Sequence, residues 1–153
     1  MKNLYTLMVA ISFIGIAGNV VSQASKAKQV TWKDLAEVSF KEEYNKEFDF
    51  NVLIPKFSKN VKALDGKWIK IEGYAIPVDE LGFEDMLVLS GVPYSQCFFC
   101  GLSGPESVMD IKPKKKLKGV KTDKKLKLVG KLKLNERDMS KLNYILTEAE
   151  LVE

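Results

Sequence analysis

Two cysteines, Cys97 and Cys100, are the only thiols among 153 residues, and they stand at CxxC spacing in Tyr94-Ser-Gln-Cys-Phe-Phe-Cys-Gly. A pair so close along the chain has three chemical uses. It can close a local disulfide, whose entropic stabilisation is modest because the ring is small. It can bind a soft metal, either zinc or copper. Two thiolates are half of a tetrahedral zinc site, and Glu106, Tyr94, a backbone carbonyl, water or a second copy of the chain would have to complete it. Copper(I) needs no more than the two thiolates. The pair can also exchange disulfides, as in a thiol-disulfide oxidoreductase. Redox-active pairs usually sit at a helix N-terminus, which lowers the thiol pKa. Here Gly101 and Ser103-Gly104-Pro105 follow, which opposes a continuing helix. Haem attachment requires histidine where the chain has Gly101.

Histidine is absent from the whole sequence. That removes Ser-His-Asp triads, Cys-His pairs, histidine zinc sites and histidine general bases. Phe98 and Phe99 stand between the sulfurs, and their simplest use is to plug one end of the fold. Asp79-Glu80 and Glu84-Asp85 are adjacent acids around Gly82, the pattern of a solvated turn rather than of a hydrolase.

The N-terminus places these residues outside the cytoplasm. Lys2 precedes the apolar run Leu4–Gly18, and small residues near Gln23 and Ala24 suit cleavage. Residues 1–23 therefore read as a secretory signal, its apolar run short for a bilayer span, with an uncleaved membrane anchor as the alternative and no further span after cleavage. The expected location is periplasmic or extracellular, where neighbouring thiols tend to oxidise. Loss of Lys2 lowers the formal net charge from +4 to +3. Residues 24–30 are polar and read as a disordered leader.

The remainder, residues 31–153, has the length of one domain with a real core. Thr31 can cap a short helix carrying Trp32 and Leu35, with Val38 extending the apolar stripe. The charged stretch Lys41–Phe50 reads as a loop. Phe50–Ile54 reads as a strand ending at Pro55, and Phe57–Leu64 as a turn of helix before Asp65-Gly66. Five strands follow, over 67–77, 85–90, 107–112, 125–134 and 143–152. The fourth is the clearest: Leu126, Leu128, Gly130, Leu132 and Leu134 alternate with Lys125, Lys127, Val129, Lys131 and Lys133. Gly73 falls where a strongly coiled first strand would bend. The spacing predicts a mainly β fold, a small five-stranded OB-like Greek-key barrel with a helical lead-in.

Several of these residues resemble the DUF3299 family of exported bacterial proteins. The resembling pieces are Trp32 and Leu35, the run Leu64-Asp-Gly-Lys-Trp-Ile-Lys-Ile-Glu-Gly-Tyr-Ala-Ile-Pro77, the approach to Tyr94 and Cys97, and Pro105-Glu-Ser-Val108. Many family members have one cysteine followed by a histidine and several prolines. Cys-Phe-Phe-Cys-Gly departs from that pattern and is similar to a Bacteroidetes-type variant. The resemblance implies an exported protein associated with transport systems and assigns no reaction.

A basic segment completes the reading. Lys112–Lys125 includes Lys114, Lys115, Lys116 and Lys118, and the wet face of the fourth strand adds Lys125 and Lys127. OB-folds bind single strands through such surfaces, but export argues against nucleic acid. The segment reads as a solvated hairpin able to contact anionic lipid or an acidic envelope partner. The expectation is a non-enzymatic binding domain with a working CxxC loop. A thiol-disulfide oxidoreductase and an adaptor subunit of an envelope transport complex are the alternatives.

Overall fold

The lysine-leucine alternation of residues 125–134 becomes a strand with one face inside a closed barrel. The structure is a computed structural model and describes residues 25–46, 49–78 and 87–152. The expected signal segment and the acid pairs at 79–80 and 84–85 lie outside the described residues.

Eight strands and two short helices are present among the described residues. They are β1 (Lys28–Gln29), α1 (Trp32–Leu35), β2 (Val38–Asn45), β3 (Phe50–Phe57), α2 (Lys59–Lys62), β4 (Trp68–Pro77), β5 (Leu87–Ser90), β6 (Val108–Pro113), β7 (Lys125–Leu134) and β8 (Tyr144–Leu151). The barrel closes in the order β4-β5-β6-β8-β7 and back to β4. Only the β6–β8 pair within the ring is parallel. Numbered within the barrel, that is strand order 1-2-3-5-4-1, the OB-like topology.

Closure depends on β4 serving two partners. Its residues Trp68–Tyr74 pair with β7, and Tyr74–Pro77 pair with β5. The handover falls at Gly73 and Tyr74. A Cβ on Gly73 would lie 2.5 Å from the Ser90 carbonyl oxygen and 2.8 Å from Leu89 Cγ. Only a residue without a side chain lets the coiled strand approach β5 so closely.

The interior of the barrel is apolar. Ile69, Ile71, Leu89, Met109, Leu128, Leu132, Tyr144 and Leu146 are fully buried. α1 closes one end, capped as expected by Thr31, with a reciprocal contact from Asp34. Leu35 is buried, and its carbonyl accepts the Tyr144 hydroxyl at 2.6 Å. Trp32 donates its indole N–H to the Glu72 carbonyl at 2.8 Å.

Four expectations are corrected. Residues 28–30 of the expected leader are ordered: β1 pairs in parallel with Ile69 and Lys70 of β4, and Val30 is buried. The first half of β4 has one edge that β5 does not reach, and β1 supplies its hydrogen bonds. The stretch 41–50, expected as a loop, is mostly strand. β2 and β3 form an eight-pair antiparallel hairpin from Val38–Phe57 to Asn45–Phe50. The charges of Lys41 and Glu42 sit at exposed positions, while Val52, Ile54 and Phe57 supply burial from the other strand. β3 runs through Pro55 because a two-stranded ribbon leaves an open edge where a missing N–H costs little. Finally, the basic segment after β6 is not a ladder hairpin. It runs through turns, and Leu117 and Val120 pack against the barrel core.

Candidate functional site

The cysteine loop joins β5 to β6, and its position follows from a second apolar cluster. β5 reads Leu-Val-Leu and β6 begins Val-Met, so both strands present apolar side chains on both faces. Leu87, Leu89, Met109 and Ile111 point into the barrel. Val88 and Val108 point outward and join Ile76, Val78 and Cys97 in a separate cluster. Val92, Phe98 and Leu142 pack around it. The loop therefore folds back over the outer surface of β4–β6. Cys97 is fully buried there, the residue that attaches the loop to the sheet.

This corrects the expectation that Phe98 and Phe99 plug a barrel end. Phe98 covers the outer face, and Phe99 remains 45% exposed. Their rings meet edge-on with centroids 5.7 Å apart.

Backbone turns hold the two sulfurs together. Tyr94–Gln96 and Phe98–Cys100 are successive 3-10 turns, with Cys97 extended between them. The Cys100 amide donates to the Cys97 carbonyl at 3.1 Å, and the Gly101 amide to the Phe98 carbonyl at 2.9 Å. Gly101 takes a left-handed conformation with φ 73°, which a glycine tolerates best. The chain thus reverses directly after Cys100. The Cys97 sulfur lies close enough to bear on the protonation of the Cys100 thiol. Cys100 is exposed, and its thiol also donates to the Tyr94 carbonyl at 3.2 Å.

The electrostatics favour the neutral thiol. Desolvation pushes the Cys100 pKa above the ordinary cysteine range, and the adjoining Cys97 sulfur pushes it the same way. This is the opposite of the shift that activates an exchanging cysteine.

Of the accessory candidates, Tyr94 joins the cysteines through its carbonyl rather than its phenol. Its amide donates to Asp123 Oδ1 at 2.7 Å, which ties the loop to the basic segment. Glu106 stands apart: its carboxylate lies over Gly104, and its charge acts on Tyr144. Among the described residues no group of three His, Cys, Asp or Glu side chains could hold a metal. Any metal at Cys97 and Cys100 would therefore be held by two thiolates, with the Tyr94 carbonyl, 3.2 Å from the Cys100 sulfur, as a further oxygen donor.

The lysines are dispersed. Lys114 pairs with Glu150 at 3.3 Å, and Lys125 lies 5.3 Å above the Tyr74 ring. Lys127 faces Glu72 across the ladder. Lys115, Lys116 and Lys118 are exposed.

Two features escaped the sequence reading. Asp123 holds the loop from a distant turn, and no sequence signal announces it. The outer cluster could have been found, because Leu87-Val88-Leu89 of β5 and Val108-Met109 at the start of β6 are consecutive apolar residues, the mark of strands buried on both sides.

No family model matches the chain, and no curated protein matches it. The chain is similar in structure to a DUF3299 family protein of Pseudomonas aeruginosa PAO1 known from a crystal structure, at 17% identity and a TM-score of 0.49, covering 83% of this chain and 97% of that one.

Proposed function

We propose that this protein is an exported, non-enzymatic binding domain of the DUF3299 type, whose working element is the Cys97–Cys100 turn. The observation that supports it is the placing of one buried and one exposed free thiol on successive turns of the same loop. The buried member is fixed by the outer cluster and can present its sulfur only at the loop's inner side. The exposed member admits a ligand from solvent. Two thiolates, with no histidine or carboxylate nearby to complete a tetrahedron, suit copper(I) better than zinc. Zinc would require donors from a second copy.

A second use rests on the same pair. In an oxidising compartment the two sulfurs can close into a disulfide that stiffens the loop. Tyr94, Phe99 and Leu102, at 39%, 45% and 70% exposure, then form a recognition tip for an envelope partner. Exchange catalysis fits less well, because the Cys100 thiol is raised rather than lowered.

The test is a thiol count on protein purified without oxygen, followed by copper(I) titration against a competing chelator. One copper per chain, lost in Cys100→Ser, is the expected result. An oxidised pair that resists glutathione favours the recognition tip. An oxidised pair that exchanges near a thioredoxin-like potential assigns the enzyme instead. Copper retained in full by Cys100→Ser would remove the metal reading.

A further inference from the structure

A cavity of about 480 Å³ opens where β5 begins, β6 ends and the β7–β8 connection passes. That volume is in the range of small-ligand pockets. Leu87 and Ile111, cross-strand partners at the barrel rim, give it hydrocarbon together with Pro113. The cysteine turn contributes nothing to its lining.

Asp110 also lines the cavity, and it is a costly residue to place there. It is 6% exposed, and its ladder partners Val88 and Ile145 are buried aliphatic residues. Its Oδ2 accepts the Leu142 amide at 2.9 Å. Its Oδ1 accepts no hydrogen bond from any described residue, yet it is not sealed inside the protein. A carboxyl so enclosed is unfavourable until its second oxygen meets a donor. Burial raises its pKa, the direction expected of a carboxylate short of solvation.

The carboxyl is held in place by a loop that is itself fixed. Asn135 accepts the amides of Arg137 and Asp138 through its side-chain oxygen. Its side-chain nitrogen donates to the carbonyls of Asp138, Lys141 and Leu142. The Leu142 amide therefore fixes which oxygen of Asp110 is left over.

The charges around the cavity are matched. Lys112 and Lys141 favour the charged form of Asp110, and Asp138 opposes it. Lys141 is already held by Asp138, which also accepts from Ser140. Lys116 has an interaction of its own. An anionic ligand would meet two carboxylates and gain little from lysines so committed. A cationic ligand would crowd the ammonium groups that already act on Asp110. The arrangement suits an uncharged donor on a hydrocarbon body.

We infer that this rim cavity binds a small neutral alcohol, whose hydroxyl donates to Asp110 Oδ1 and whose short hydrocarbon body lies over Leu87, Ile111 and Pro113.

The experiment follows backbone amide NMR shifts of the intact chain during titration with hexan-1-ol, its isomer methyl pentyl ether, butan-1-ol and hexylammonium. Saturable shifts at Asp110, Ile111, Lys112 and Leu142 are expected with hexan-1-ol. The ether has the same atoms and no donor, and should bind about tenfold more weakly. Butan-1-ol buries two fewer methylenes and should bind about fifteenfold more weakly. Hexylammonium should be weaker than hexan-1-ol. Asp110→Asn keeps an oxygen for the Leu142 amide and offers the cavity a donor in place of an acceptor. Its preference for the alcohol over the ether should fall to about twofold or less. The isomer comparison needs no substitution, so it tests the proposal whatever the fold of Asp110→Asn. Equal affinity for the two isomers, no saturation by hexan-1-ol, or tighter binding of hexylammonium would each overturn the proposal. So would an isomer preference kept in full by folded Asp110→Asn.

Discussion

The two faces of β4, β5 and β6 carry two different cores. The inner face is part of a closed barrel in which neighbouring strands supply the opposing side chains. The outer face is covered by a loop of 3-10 turns, a few apolar residues and a cysteine. The inner core is held from all sides by hydrogen-bonded strands. The outer one is held by segments whose backbone bonds are local. A protein can change the second without dismantling the first, and the reactive group stands in the second.

Matched substitutions measure that difference most directly. Ile71 faces the barrel interior and Ile76 the loop-covered cluster, both buried. Ile71→Ala should cost about 4 kcal/mol, and Ile76→Ala about 2 kcal/mol because a loop can settle into the void. Urea denaturation checks both, and equal losses would break the comparison.

Gly73→Ala is the next largest effect expected. The added methyl meets the Ser90 carbonyl and Leu89, neither of which can retreat without moving β5. A loss of about 2–3 kcal/mol is expected. The substitution should also disturb the loop-covered face, read as new protease sensitivity near residue 97, since β5 leads directly into the loop.

The cysteines sharpen the comparison further. Cys97→Ser puts a hydroxyl into an apolar cluster and should cost about 1–3 kcal/mol. Cys100→Ser changes an exposed side chain and should stay within about 0.5 kcal/mol. Both should abolish copper binding. A thermal melt and a metal titration on the same samples separate the buried thiol's structural part from the pair's chemistry.

The smallest effect concerns pH. Asp110 has a folded-state pKa raised by burial, so the folded protein holds the proton more tightly than the unfolded chain. Its contribution to stability is fully present below the unfolded pKa, near 3.9, and is lost as pH rises through the raised folded value. Asp110→Asn keeps an oxygen for the Leu142 amide and cannot ionise. The difference in stability between wild type and Asp110→Asn should therefore move against the wild type as pH rises above 4. A difference flat with pH would show that the carboxyl is not desolvated in solution.

Much of this architecture was legible in residue order. The alternation from Lys125 to Leu134 marked β7 with its bounds, and Gly73 marked the coiling of β4. The hairpin β2–β3 was not legible. Its first strand is too charged to show a period, and only pairing with Val52, Ile54 and Phe57 opposite makes it a strand. The leader residues 28–30 likewise found structure in an unfilled edge of β4, a vacancy no local pattern reveals. The cysteine pair was visible from spacing alone. Its attachment to the outer face was not, because Cys97 looks the same in sequence whether its sulfur faces water or valine.

Residue order by itself determined which segments alternate, where glycine is needed and that two sulfurs must lie near each other, because each is set by neighbours a few positions away. The tertiary structure decided which face each strand buries twice, which cysteine is hidden, and that Asp110 and three lysines share a cavity. Those outcomes depend on contacts between segments far apart in the chain, and burial is a property of the assembled surfaces rather than of any residue's type.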